Sequence, residues 1–483
     1  MTKLILIPLL FLILTTLSPA IVRASPMPLT IQDVIEMALS KGLYHKDVTL
    51  TFQKAELSLL QVNANFDTQM YLKGQKEDSR IEAIGGLNND RDLNNSLGFG
   101  LSRRFSTGSQ LGIDYSYLHR ESDLGAFMRQ TAAIPIQYYH LTSLTFKQDL
   151  LNNIFGYRDR RSFDAAEKQY QRSDLERDEA SEDIVLQAIK IYLDAYAAQE
   201  NLKQSLAARD KYILLVKSVK QKSSMGFDDK SELTKTKAEL QTQERNVKSA
   251  SLQYLNLIER LYTVINATAP EEVTIALPEI IPSPMAVSQS PTIEDLRKSK
   301  SMVLQIEAAQ AEKEAAANNR MANLLLTSQA TYSGLDKSDS VALSEMNHRE
   351  HPKYSVGLEL IMRWGGSAQK AESLSKKVAF EEALNNQAKL RNDLVEALDR
   401  TQRNLQSKYI IAVNAQETVR LWEEAVKNQE KNHRFGRITT AELIIDYGTY
   451  FRAKSSLSAA LADYQLSIYE YQATRDELVK SKN

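Results

Sequence analysis

The chain has no cysteine among its 483 residues. Disulfides and thiolate metal sites are therefore excluded, and so is a lipid anchor on an N-terminal cysteine. Proline (11) and glycine (17) are sparse, which disfavours a loop-rich β-sandwich and suits long uninterrupted helices. No charge of one sign dominates: 60 Lys and Arg stand against 61 Asp and Glu, so nothing advertises a nucleic-acid partner. Beyond residue 24 there is no apolar run of about 18 residues, the length a transmembrane helix requires. If the mature chain enters a membrane it must do so as a β-barrel, the other structure that satisfies its own backbone in lipid. The catalytic signatures are missing too: no phosphate-cradling glycine loop, no Gly-x-Ser-x-Gly and no His-Glu-x-x-His. His348-x-x-His351 has metal-like spacing but sits in a polar stretch with no clear third ligand. We expect no enzyme, no cofactor and no metal.

What is present begins with an export signal. Lys3 supplies a positive start, Leu4 to Leu17 is almost wholly apolar, and Val22-Arg23-Ala24 offers small residues for cleavage after Ala24. Residues 1–24 are expected to be a signal peptide, about 14 apolar residues being short for a membrane span.

Two long segments lack both proline and glycine, Arg158–Ser224 and Ala368–Phe435. At 1.5 Å per residue each would form a helix of about 100 Å. Leu398, Leu405, Ala412, Val419 and Val426 recur at strict sevens. Subtracting 210 gives Ala188, Ala195, Leu202, Arg209 and Val216, the same register with one exception. A second stripe runs beside it through Val185, Ile189, Tyr192 and Tyr196. Heptad seams hold a helix against a neighbour in a left-handed supercoil. Two seams imply two neighbours, as in a ring of helices; a plain two-helix hairpin would need one.

Shorter helical segments flank these at about Thr30–Asn65, Ser231–Asn266, Pro291–Leu326 and Thr439–Val479. The frame "MGFDDKSEL" (Met225–Leu233) returns as "FGRITTAEL" (Phe435–Leu443), with Gly436 − Gly226 = 210. "TIQD" at Thr30 returns as "TIED" at Thr292, an offset of 292 − 30 = 262. The chain thus reads as an internal duplication carrying 262 − 210 = 52 extra residues in its first half, expected between the Asn65 region and Gly156.

Between helices the apolar period changes to two. Tyr354, Val356, Leu358, Leu360, Met362 and Trp364 alternate with Ser355, Gly357, Glu359, Ile361 and Arg363. Half two shows strands near Leu326–Gly334 and Tyr354–Trp364; half one shows four, Asp67–Gln75, Ser96–Arg104, Gln110–His119 and Tyr138–Leu150. Ten-residue strands with one apolar and one polar face fit a membrane barrel, though a soluble sandwich face reads similarly. The surplus is then one added hairpin around the turn "FSTGSQ" (Phe105–Gln110). Whether it joins the barrel wall or stands outside is open at this level.

The ordered set of these features resembles the TolC family of outer-membrane efflux proteins over essentially all of the mature chain. The resemblance rests on the duplicated helix–strand–strand–helix–turn–helix order and the two Gly-x6-Leu frames at 226–233 and 436–443. It rests also on the opening "LTIQDVIEMALSKG" (Leu29–Gly42) and the junction "LTFKQDLLNNIFGYRDRRSFDAAE". It implies a mostly α protein with a membrane β-barrel, a homotrimer whose helical barrel projects into the periplasm. The repeats would be 25–283, with a helical hairpin 158–266, and 284–483, with a hairpin 368–479. Such trimers are exit ducts of tripartite efflux or type I secretion systems. They are opened at the tip by a periplasmic adapter (membrane fusion) protein and driven by an inner-membrane transporter; the remaining partner is outer-membrane lipid.

By the same resemblance Gly226, Gly436 and Arg437 would form the tip turns and meet the adapter, and Glu232 and Glu442 would line a closing gate. A further family acid falls on Ile445, with Asp446 one step beyond, so the second ring departs from the pattern. The plain alternative for both glutamates is a first-turn acid favoured by a helix N-terminus. Glu359 and Arg363, on the polar side of a strand, would face the barrel lumen. Two other readings stay open here: a non-channel coiled-coil protein stapling envelope layers, and a periplasmic adapter with a single hairpin.

Overall fold

The computed structural model describes residues 28–80, 91–123, 135–224, 230–270, 273–277, 282–284 and 291–479. The expected signal peptide and Gly226 lie outside the described residues. Among the described residues helix dominates, and every strand belongs to one sheet.

The two long helices are α3 (Tyr157–Ser224) and α7 (Ser367–Arg434), each of 68 residues. They are followed by α4 (Lys230–Val264) and α8 (Thr440–Thr474), each of 35 residues. Every one of the four boundaries repeats at 210: 367 − 157, 434 − 224, 440 − 230 and 474 − 264. The absence of breakers and the heptad seam are enough to account for such lengths. Leu405, Ala412, Val419 and Val426 are buried, and the seam continues seven residues on to a buried His433. In the first half Ala188 and Ala195 are buried as expected, as are Val185, Ile189 and Tyr192 of the second stripe. Further along α3 the buried positions are Ala208, Tyr212, Leu215 and Val219, while Leu202, Arg209 and Val216 are only half-buried. The exception at Arg209 therefore marks a shift of seam by one residue, which turns a charge out of the core.

The shorter helices depart from expectation. Thr30–Asn65 is not one helix: α1 (Ile31–Ser40) stops before Gly42, and α2 (Leu43–Asn63) restarts after it. Gly42 is extended, and a Cβ there would lie 2.3 Å from the Ala38 carbonyl oxygen, so only glycine passes this break. The counterpart Pro291–Leu326 is shortened at both ends. One 3-10 turn at Ile293–Asp295 precedes α5 (Arg297–Asn318), and Asn323 onward is already strand. The contiguous apolar Leu324-Leu325-Leu326 serves sheet rather than helix. Threonine stands at both starts but caps only the first: Thr30 N–H donates to Asp33 Oδ2 at 3.0 Å and Asp33 N–H to Thr30 Oγ1 at 3.2 Å, whereas Thr292 Oγ1 bonds only the Asp295 side chain.

The sheet is a six-stranded antiparallel meander. Its strands are β1 (Thr68–Ser79), β2 (Arg91–Arg104), β3 (Ser109–Asp123), β4 (Ile136–Asp149), β5 (Asn323–Asp336) and β6 (His351–Ile361). Half one contributes four strands and half two contributes two, as expected. The surplus needs one correction. The helix ends Asn63 and Asn318 and the strand starts Thr68 and Asn323 both differ by 255. So 262 − 255 = 7 of the extra residues, two helical turns, lie before the sheet, and 255 − 210 = 45 lie within it. One stretch read as loop is helical: α6 (Asp339–His348) buries Ala342 and Met346, and Gly334 of β5 admits it, a Cβ there meeting the Ala342 carbonyl at 1.8 Å.

Register places one row of side chains across all six strands. Met70, Leu101, Ile113, Leu144, Ala330 and Tyr354 stand in line. The adjacent row is Tyr71, Gly100, Asp114, Ser143, Thr331 and Lys353, on the opposite face. The first row is apolar across all six strands and the second is predominantly polar.

Two compact units draw on both repeats. The first comprises residues up to Met37, Ala188–Ile281 and Gln416–Ala462; the second comprises Ala38–Gln187, Pro282–Ala415 and the residues from Asp463. In the first unit Leu29 forms a parallel bridge with Ile275, and Tyr192 Oη donates to the Leu29 carbonyl at 2.8 Å. Its main core joins Tyr212, Leu215 and Val219 of α3 to Val426 of α7 and Leu443 and Tyr447 of α8. The second unit holds the sheet with the adjoining lengths of helix.

Candidate functional site at the hairpin tips

The second tip is built from two local devices. At the end of α7, Gly436 has φ +70°, with its N–H on the His433 carbonyl at 3.1 Å and the Arg437 N–H on the Asn432 carbonyl at 2.9 Å. That pair of bonds is a Schellman turn, which needs a left-handed residue just past the helix. A Cβ at Gly436 would meet nothing within 4 Å, so the demand there is purely conformational. Phe435 is exposed, and the Arg437 guanidinium lies 5.6 Å from its ring centre.

The start of α8 is a capping box. Thr439 N–H and Oγ1 donate to Glu442 Oε2 at 2.8 and 3.0 Å, and Glu442 N–H returns to Thr439 Oγ1 at 3.2 Å. These backbone and side-chain bonds hold the Glu442 carboxyl below its ordinary range. Glu442 is nonetheless exposed, and Ile445 beside it is 66% exposed while Asp446 is half-buried.

Glu232 is placed differently. Its Oε1 accepts the Thr440 N–H at 3.2 Å, so the acid at the start of α4 satisfies an orphan donor at the start of α8. Thr440 Oγ1 in turn lies 3.1 Å from His433 Nε2 inside the α7 seam. Burial pushes His433 below its ordinary value, and Lys222, whose Nζ donates to the His433 carbonyl at 3.4 Å, adds to this, while Glu232 opposes it. One turn back, Glu430 accepts from Lys211 Nζ at 2.7 Å and Tyr447 Oη at 2.8 Å. The two hairpins are therefore joined by a polar latch, Glu232–Thr440–His433, above the apolar core. The sequence reading missed His433 and Thr440, although His433 continues the heptad series from Val426 by seven. Gly226 and the side chain of Lys230 lie outside the described residues.

On the sheet, Glu359 lies on the polar face of β6, while Arg363 stands two residues past the strand's end. Among the described residues two groups of side chains lie close enough to hold a metal ion, Glu345 with Glu350 and His351, and Glu179 with Glu182 and Asp476. The second group encloses the buried Arg297, whose Nε lies 3.4 Å from Asp476 and which contacts Glu182, so its charge is already compensated. His348 takes no part in the first, its Nδ1 lying 2.8 Å from the Ser344 carbonyl.

No family model and no curated protein sequence matches the chain. Solved structures do. The CmeC outer membrane channel of Campylobacter jejuni superposes with a TM-score of 0.67 at 13% identity, over 94% of this chain and 87% of that one. The outer membrane protein VceC of Vibrio cholerae gives 0.67 at 13%, over 93% and 97%. The MtrE outer membrane channel of Neisseria gonorrhoeae, in its open state, gives 0.66 at 15%, over 93% and 89%. The chain therefore has the fold of the outer-membrane channel proteins, mostly helical with a β-sheet portion, the fold its resemblance to the TolC family implied.

Proposed function

We propose that the protein is an outer-membrane channel, three copies of which form a membrane β-barrel continued by a helical barrel in the periplasm. It serves as the exit duct of a tripartite efflux or type I secretion system. An adapter protein docks at the helical tips and opens them, and an inner-membrane transporter supplies the energy. The role is conduction rather than catalysis.

The observation that carries this reading is the row Met70, Leu101, Ile113, Leu144, Ala330 and Tyr354, apolar across all six strands, backed on the other face by the polar row through Gly100, Asp114, Ser143, Thr331 and Lys353. Lipid outside and water inside is the environment such a sheet matches. Glu359 then borders the lumen, with Arg363 at its mouth. The long helices support assembly as well, for Ile410, Ile411 and Leu421 of α7 and Leu214 of α3 are left exposed, as ring neighbours would require. At the tip Gly436 and Arg437, with Gly226 as the partner turn, offer the adapter contact. Glu232, Glu442 and Asp446, repeated three times, would form a negative ring at the constriction.

Detergent dependence is the test. A mature protein extracted only with detergent, trimeric in it and conducting ions in a planar bilayer, is the expected result. A monomer soluble without detergent would overturn the channel and return the chain to an envelope coiled coil.

A further inference from the structure

The β2–β3 hairpin, with no counterpart in the second half, lies between β1 and β4 in the strand order. Its side chains continue both faces of the sheet: Leu101 and Ile113 fill the apolar row, Gly100 and Asp114 the polar one. It is tied to the rest at two levels. Tyr71 Oη of β1 reaches over Gly100 to Asp114 Oδ1 of β3 at 2.7 Å. Below, its turn docks on the junction leading into α3. Asp149 N–H donates to the Gly108 carbonyl at 3.2 Å, and Arg104 reaches Asp159 Oδ2 at 3.0 Å beside the fully buried Asn153. A hairpin standing outside a barrel would need neither an alternating lipid face nor this footing.

The outer strands β1 and β6 have no second partner among the described residues. Met70 and Leu72 of β1 and Val356 and Leu358 of β6 are exposed, so the apolar face reaches both edges at these levels, with Lys76 and Asp78 of β1 and Pro352 of β6 further along the same side. Six strands are too few to close, since barrels begin at about eight. Polar-face charges are complementary: β1 from its start presents Lys73 then Glu77, and β6 from its end presents Glu359 then Lys353. An antiparallel register that sets Lys73 opposite Glu359 leaves Glu77 diagonal to Lys353, two residues off and within reach of long side chains.

We infer that β1 and β6 are seam strands whose partners are the β6 and β1 edges of further copies of this chain, and that β2–β3 is part of the wall. Resting on the trimeric channel proposed above, the barrel has 3 × 6 = 18 strands. The plan of two strands per repeat would close at 3 × 4 = 12. Since diameter grows roughly linearly with strand number, the lumen is about one and a half times as wide as without the hairpin.

A chain free of cysteine permits a direct test. Single variants Ser116→Cys and Ile113→Cys in β3, with Ser355→Cys and Val356→Cys in β6, are exposed in membranes to a water-soluble, membrane-impermeant maleimide. Labelling is expected at residues 116 and 355 and at least tenfold slower at 113 and 356. Alternation in β6 but equal labelling in β3 would overturn the wall hairpin and leave the channel standing; no alternation in β6 would overturn the channel itself. Electron microscopy of the unmodified trimer in detergent counts the strands without any substitution: 18 supports the inference and 12 overturns it.

Discussion

Tyr71 and Asp114, on strands that do not pair with each other, share a 2.7 Å hydrogen bond across Gly100. The bond exists because the residue between them has no side chain. A Cβ on Gly100 would come within 2.2 Å of the Tyr71 ring and 2.4 Å of Asp114 Oδ1. Gly100→Val is expected to destabilise the folded protein by about 1–3 kcal/mol through overpacking. Gly98→Ala, where the nearest atom is 3.9 Å away, should change little. Thermal unfolding of the two variants in detergent measures the contrast; equal melting temperatures would refute it.

At the foot of the added hairpin Asn153 is fully buried, donating to Asp159 Oδ2 at 2.9 Å and accepting the Asp159 N–H at 3.2 Å. Asn153→Ala strands those partners in the interior, at a cost of about 1–3 kcal/mol. Asn153→Asp sets a third carboxylate beside Asp149 and Asp159 and should lower the melting temperature further at neutral pH. The order of the two variants is the readout.

The tip latch should loosen in acid. His433 is held below its ordinary value of 6.5 chiefly by burial. The unfolded chain therefore takes up a proton at higher pH than the folded one. Stability is full above about 6.5, the unfolded value, and declines as pH falls from there toward the lowered folded value. Amide exchange in residues 430–445 at pH 7.5 and 5.5 should show faster opening in acid, and His433→Gln should remove most of that difference.

Gly436→Ala should cost about 1 kcal/mol, the penalty of a left-handed alanine, with no steric component. Gly436→Asn should cost less, since asparagine tolerates that region. Limited proteolysis after Phe435 or Arg437 reads the loosened turn, and a variant as resistant as the parent would contradict the Schellman assignment.

If Glu232 and Glu442 line a gate, replacing each with glutamine should reduce cation preference in a planar bilayer. Glu232→Gln should leave mean current near the parent's because its amide oxygen still accepts the Thr440 N–H. Glu232→Ala, which removes that acceptor, should raise the frequency of openings. Selectivity unchanged in both glutamine variants would reduce Glu442 to the cap of its helix and Glu232 to a tie between hairpins.

Much of this architecture is legible in the residues because its signals are local. Breaker-free stretches, heptads and the 210 offset located both helical hairpins to within a residue or two at most ends, since helix start and stop are decided by caps and glycines a few positions away. The alternation of Tyr354, Val356, Leu358 and Leu360 with Ser355, Gly357 and Glu359 likewise announced a strand. What local pattern could not decide was any relation between distant segments. Only strand pairing reveals that β2–β3 lies between β1 and β4 in the sheet, because the face a side chain takes is local while the neighbour it meets is not. The seven-residue surplus before the sheet, hidden inside a total of 52, emerges only when strand starts are aligned. The glutamates look alike in sequence, both following a glycine by six residues, yet Glu442 caps its own helix while Glu232 caps another's. That difference depends on how two helices 210 residues apart pack together, and tertiary structure alone determines it.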